Sequence, residues 1–212
     1  MPRPSRFSEA QILDATAAIV AARGPGAATI GAIGNMLKAP SGSIYHRFAS
    51  RDALLGRLWL SKAAFFQDRF TAALADREPV KAGVAAALSI VRAVRDDFAG
   101  ARIMLLHRRD DFLDGDWPPD MAAEAIRLKH QVEDAMSNIV RRLFRRVGPE
   151  TLQLAYFAMI DVPLAAVRRH VANNQMPPRS IEDLIARTYA ALISPAREQG
   201  RARNPATRLS SE

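Results

Sequence analysis

The stretch SGSIYHRF, Ser41 to Phe48, sets groups that can meet a polyanion beside groups that must leave water. On a helix, at about 100° per residue, Ile44 and Phe48 share one face and Gly42, Ser43 and His46 lie opposite, flanked by Tyr45 and Arg47. Small residues at the tip let the backbone approach a base edge, while hydroxyl, imidazole and guanidinium groups can hydrogen-bond bases and phosphates. Arg51, just beyond, falls in the first turn of the next helix, where the helix dipole disfavours a cation. Either an anion such as a DNA phosphate is held between Arg51 and that N-terminus, or the arginine is solvated at a cost of roughly a few tenths of a kcal/mol.

Other chemistries find little support. There is no cysteine, so disulfides, thiolate metal sites and cysteine nucleophiles are excluded. His107, His130 and His170 are scattered without metal spacing and read as solvated or core residues. RGPGAATIG lacks the Gly-Lys-Ser/Thr of a phosphate loop, and neither G-x-S-x-G nor H-E-x-x-H occurs. The expectation is no enzyme: no catalytic residue, no metal and no cofactor.

The elements that must position these groups are helical throughout, with apolar residues recurring at three and four and no alternating strand pattern. Ser8 caps the first helix with Gln11 as its capping-box partner and Phe7 stapled onto Ile12. Gly24, in a left-handed cap, and Pro25 stop it. A short helix from about Thr29 carries Ile30, Ile33 and Leu37 on one face; KAP then turns the chain into Ser41 to Phe48. Ser50 caps a long fourth helix. Further helices begin at Pro79, within ARIMLLHRR, at Pro119 (ending near Arg146), over TLQLAYFAMIDVPLAAVRRHVA and over IEDLIARTYAALI, about nine in all. From Pro195 the chain offers no apolar face and is expected to be a disordered basic tail.

The 212 residues allow one large or two small domains, and Lys+Arg 30 against Asp+Glu 22 gives a net charge of +8. A basic chain suits an anionic partner, nucleic acid or a membrane surface. No apolar run reaches the ~18–20 residues that span a bilayer, and the N-terminus lacks a signal-peptide core, so a cytoplasmic protein without membrane attachment is expected.

The run TIGAIGNMLKAPSGSIYHRFASRDALL, Thr29 to Leu55, resembles the DNA-binding signature of the TetR family of bacterial transcriptional regulators. The residues that carry the likeness are Thr29, Ile33, Gly34, Gly42, Ser43, Ile44, Tyr45, Phe48 and Arg51. It implies an all-α chain with a three-helix helix-turn-helix domain over 1–52, a helical ligand-binding and dimerisation domain over 53–194, and the tail 195–212. It further implies base-edge contacts from Ser41, Gly42 and Ser43, and phosphate contacts from Tyr45, His46 or Arg47, and Arg51, with Thr29 near the DNA backbone. Arg3 and Arg6 are candidates for a basic arm. Lys38 replaces the usual turn glycine and needs a left-handed backbone or another turn type; Pro40 replaces a capping Ser or Thr and can open the helix as its first residue.

The family's function implies a homodimer through the last two helices, bound as a repressor to double-stranded operator DNA and released by an unknown small-molecule effector. The alternative is a ligand-independent DNA-binding protein of the same fold. Candidate lining for an effector pocket is Trp59, Phe66, Met104, Phe112, Trp117, Met121 and Tyr156. Asp161 joins them because it shares a helical face with Leu154, Phe157 and Leu164. A carboxylate buried there needs a ligand's polar group, an arginine across the dimer, or the backbone freed by Pro163.

Overall fold

A computed structural model of the chain describes residues 7–112 and 117–202, all of it helix, turn and loop without a strand. Arg3, Arg6 and the tail beyond Ala202 lie outside the described residues. The described helices are α1 (Glu9–Arg23), α2 (Ile30–Leu37), α3 (Ser41–Tyr45), α4 (Arg51–Ala73), α5 (Pro79–Asp96) and α6 (Phe98–Leu106). They continue as α7 (Pro119–Phe144), α8 (Pro149–Ala172) and α9 (Ser180–Ala202).

Their ends follow the cap chemistry. The Ser8 Oγ accepts the Gln11 N–H at 3.2 Å while the Gln11 Oε1 accepts the Ser8 N–H at 2.8 Å, the expected reciprocal box. Ser50 Oγ accepts the Ala53 N–H at 3.0 Å and starts α4. Gly24 does end α1, but with φ 80° and ψ 167° it sits in a glycine-only region rather than the left-handed helical well expected. Asp97 caps α6, accepting the Gly100 N–H at 2.8 Å, so the break between α5 and α6 falls earlier than the sequence reading put it. The last helix runs through Pro195 to Ala202, against the expectation that the tail starts there. Pro195 and Ala191, whose carbonyl loses its partner, are both exposed, so water can satisfy that carbonyl, while the next residue, Ala196, packs on the core.

Two compact units result, Met1–Phe65 with Asp97–Leu128, and Phe66–Asp96 with Lys129–Glu212. This division falls elsewhere than a boundary after residue 52, because Ile103 and Phe112 are buried in the same core as the N-terminal helices. That core holds Ile12, Ile19, Ile33, Ile44, Phe48, Leu54 and Leu58. Arg102 ties α6 to α1, its Nε donating to the Ala21 carbonyl at 2.8 Å.

The second unit is built on the small residues of α5, Ala82, Gly83, Ala86 and Ala87, which let α8 and α9 approach closely. Arg142 closes the end of α4 within this unit by donating to the carbonyls of Leu74 at 2.9 Å and Arg77 at 3.0 Å. Burial pushes the Glu182 carboxyl up, but hydrogen bonds from Arg95 and Arg92 outweigh it and hold the group below the usual carboxylate range. Its contribution is therefore present at neutral pH and lost as the pH falls through that lowered value.

In α8 the turn Phe157–Asp161 is a π turn, two residues before Pro163. The extra residue fits the missing proline N–H and the bulk of its ring into an otherwise continuous helix. By length and composition alone α8 could cross a membrane, yet Ala155, Ala158, Met159, Val167 and Val171 are buried in protein.

Candidate nucleic-acid interface

The interface is built on α2, a turn and α3. Thr29 caps α2, its Oγ1 accepting the Ala32 N–H at 3.1 Å. At the other end the Ala39 N–H donates to the Gly34 carbonyl at 2.9 Å and the Lys38 N–H to that of Asn35 at 3.3 Å, the two bonds of a Schellman motif. Lys38 is the left-handed residue of that motif, φ 53° and ψ 42°, at a cost of about 1–2 kcal/mol for a residue with a Cβ. Gly34 is demanded by the same turn, since a Cβ there would lie 2.9 Å from the Ala39 carbonyl oxygen. Pro40 stands one position earlier than expected, as the residue before α3, where its carbonyl accepts the Ser43 N–H at 2.9 Å.

The candidate recognition segment is a very short α3. Ile44 is fully buried and Phe48 nearly so, as the spacing predicts, and they seat the segment on the core. Ser41, Gly42, Tyr45, His46 and Arg47 are exposed and Ser43 is half-buried. Gly42 and Gly31 meet no other group within 4 Å of where a Cβ would stand, which leaves the backbone bare at both places.

Two arginines turn out to have structural partners that spacing could not show. Arg47 donates through Nε to the Phe7 carbonyl at 2.9 Å, fastening the entry of the chain to the end of α3. The Arg51 Nε donates to the Ala28 carbonyl at 3.0 Å and its Nη2 to that of Pro25 at 2.6 Å, with Asp52 beside it at 3.5 Å. The dipole conflict at the start of α4 is thus relieved from within, by carbonyls and a carboxylate, rather than by an outside anion. Replacing Arg51 with methionine is therefore expected to lower stability by about 1–2 kcal/mol, towards the lower end for charged hydrogen bonds because the side chain is 35% exposed. The salt dependence of DNA binding should stay unchanged, whereas loss of a phosphate clamp reduces that slope by about 1. Thermal unfolding with salt-titrated gel shifts separates the two.

The candidate effector residues divide between the units. Trp59, Met104 and Phe112 pack in the N-terminal unit with Trp117 and Met121, and the two indoles meet edge to face at 5.9 Å. The Arg109 guanidinium lies 5.7 Å from the Trp117 ring centroid. In the second unit, Phe66 is half-buried and Tyr156 packs against the core, where burial, then the nearby Glu133, push its phenol up. Asp161 is exposed, as is Phe157 at 48%, which corrects the reading of a buried carboxylate.

Residues 12–58 match the bacterial regulatory proteins of the tetR family. No curated protein matches the chain in sequence. Among solved structures the chain is similar to the fatty acid degradation regulator FadR of Bacillus halodurans, at 14% identity over 88% of this chain and 98% of that one, TM-score 0.65. It is similar to FadR of Bacillus subtilis in complex with stearoyl-CoA, at 15% identity, 88% and 98% coverage, TM-score 0.67. It is also similar to the TetR family regulator PfmR of Thermus thermophilus, at 18% identity, 88% and 96% coverage, TM-score 0.67. At such identities these likenesses concern the fold, and the sequence signature is carried by the N-terminal helices. Residues 12–58 thus carry the signature of the tetR family of bacterial regulatory proteins, on an all-helical fold similar to that of solved TetR family regulators.

Proposed function

We propose that the chain is a homodimeric transcriptional repressor of the bacterial cytoplasm, which binds a palindromic operator and is released by a small apolar effector. The observation that carries the reading is the α2–turn–α3 unit, whose buried Ile44 and Phe48 present an exposed tip at Ser41 to Ser43 flanked by Tyr45, His46 and Arg47. Residues 1–52 form the DNA-contacting part and 53–194 the effector-binding and dimerisation part. Ser41, Gly42 and Ser43 face base edges; Thr29, Tyr45 and His46 meet the phosphate backbone. The partner subunit docks on α8 and α9, where Phe157 and Leu184 are 48% and 55% exposed, large apolar groups on two adjoining helices. A two-fold dimer then offers two α3 segments to half-sites about 34–36 Å apart, and an effector with unequal affinity for two arrangements shifts that spacing.

The test is a gel shift on the DNA flanking the chain's own gene; absence of sequence-specific retention at moderate salt would sink the reading. Within it, Tyr45→Phe is expected to weaken binding to all sequences alike, and Ser43→Ala to change which sequence is preferred. Footprints of both variants on a randomised operator pool check the assignment, and a change of preference in Tyr45→Phe would reverse it.

A further inference from the structure

The core of the second unit holds a hydroxyl without a partner. Tyr189 on α9 is 0% exposed, and its phenol oxygen makes no hydrogen bond. An unpaired buried hydroxyl costs stability, so its presence asks for a reason. The ring is aimed at α5: a Cβ on Gly83 would collide with the hydroxyl oxygen and lie 2.6 Å from Cζ and 2.9 Å from Cε2. The hydroxyl thus ends on a stripe of small buried residues, Ala82, Gly83, Ala86 and Ala87. In the same core, Met136 and Met159 are fully buried, and unbranched thioethers repack with little cost.

The charged groups nearby do not satisfy the tyrosine. Glu78 is engaged at the start of α5, accepting the Val80 N–H at 3.1 Å and the Lys81 N–H at 2.7 Å. Arg197 acts on the phenol with the sign opposite to that of Glu78, so the two nearby charges oppose each other there. Burial, the largest effect, pushes the phenol up, so it stays protonated and can donate.

We propose that the Tyr189 hydroxyl is the polar recognition point of the effector, donating a hydrogen bond to a carbonyl oxygen of an otherwise apolar molecule lying along the Ala82–Ala87 stripe. This rests on the ligand-responsive reading above and narrows its ligand class. Met136 and Met159 give way as the molecule enters, and the cost of the unpaired hydroxyl is relieved only in the liganded state. The stability lost in the free protein is thereby returned as selectivity.

Butyrophenone and butylbenzene, which differ by one carbonyl oxygen, are the probes, with the full-length chain titrated by calorimetry. Wild type is expected to bind the ketone about tenfold more tightly than the hydrocarbon, the equivalent of one hydrogen bond. Tyr189→Phe should bind the two alike, and its unliganded unfolding midpoint should rise by about 2–4 °C as the unpaired hydroxyl is removed. A residue that serves only the core would not gain stability while losing the preference for the ketone. Equal affinity of the two probes for wild type, a preference that survives in Tyr189→Phe, or no binding of either probe overturns the proposal. A parallel gel shift without ligand keeps the two readings apart: specific retention with failed probe discrimination removes this inference alone, and loss of retention removes the regulator reading.

Discussion

Ile44→Ala is expected to lower the stability of the N-terminal helices by about 2–5 kcal/mol, the cost of emptying a fully buried aliphatic site. The consequence for DNA is larger than the number suggests. α3 spans only Ser41–Tyr45, too short to form by its own backbone bonds because helix nucleation is unfavourable. It exists because Ile44 and Phe48 pin it to Ile12, Ile33 and Leu54 in one small core. Without Ile44 the exposed tip loses its frame, so specific and non-specific binding should both fall, although no group proposed to meet DNA has been altered. Denaturant unfolding followed by gel shift reads both effects, and a variant that keeps wild-type stability and operator affinity would show that α3 is held by something other than this core.

Phe157→Asp is expected to do the reverse, leaving the subunit folded while abolishing its pairing. Phe157 is 48% exposed, so the fold of one chain should change by less than about 0.5 kcal/mol. In the proposed dimer the same side chain is buried against a second copy, and the substitution adds a carboxylate near Asp161 where the partner would sit. Operator affinity should drop by about 10²–10⁴, the gain that two linked half-site contacts give over one. Sedimentation velocity at matched concentration should show the monomer. An unchanged dimer would move the partner surface off this face of α8.

Much of this molecule can be read from short-range pattern, and the exceptions have specific causes. The box at Ser8 and Gln11, the cap at Ser50 and the common face of Ile44 and Phe48 depend on residues within four positions of each other. Arg51 could not be placed that way, because its partners are backbone carbonyls of residues 26 and 23 positions earlier, and a carbonyl leaves no mark in the sequence. Arg47 and the Phe7 carbonyl, 40 positions apart, are the same case. Asp161 is misread for a different reason. The spacing rightly sets Asp161 on one face with Phe157, but a period does not say which face the core covers, and this one is open to solvent in the single chain. The close packing of Tyr189 on Gly83 joins residues more than a hundred positions apart and becomes visible only when α5 and α9 are laid together.

Lys38 has one more consequence. A lysine on a regular exposed surface is a mobile charge on a floppy stem, but here its backbone is held in the left-handed well by the two carbonyls that close α2. Its Cα–Cβ bond therefore leaves the turn in a fixed direction immediately before α3. A glycine would relax the turn and carry no charge at all. In the proposed regulator the strain thus buys a cation at the turn before α3, whose field would act on an approaching duplex before any hydrogen bond forms.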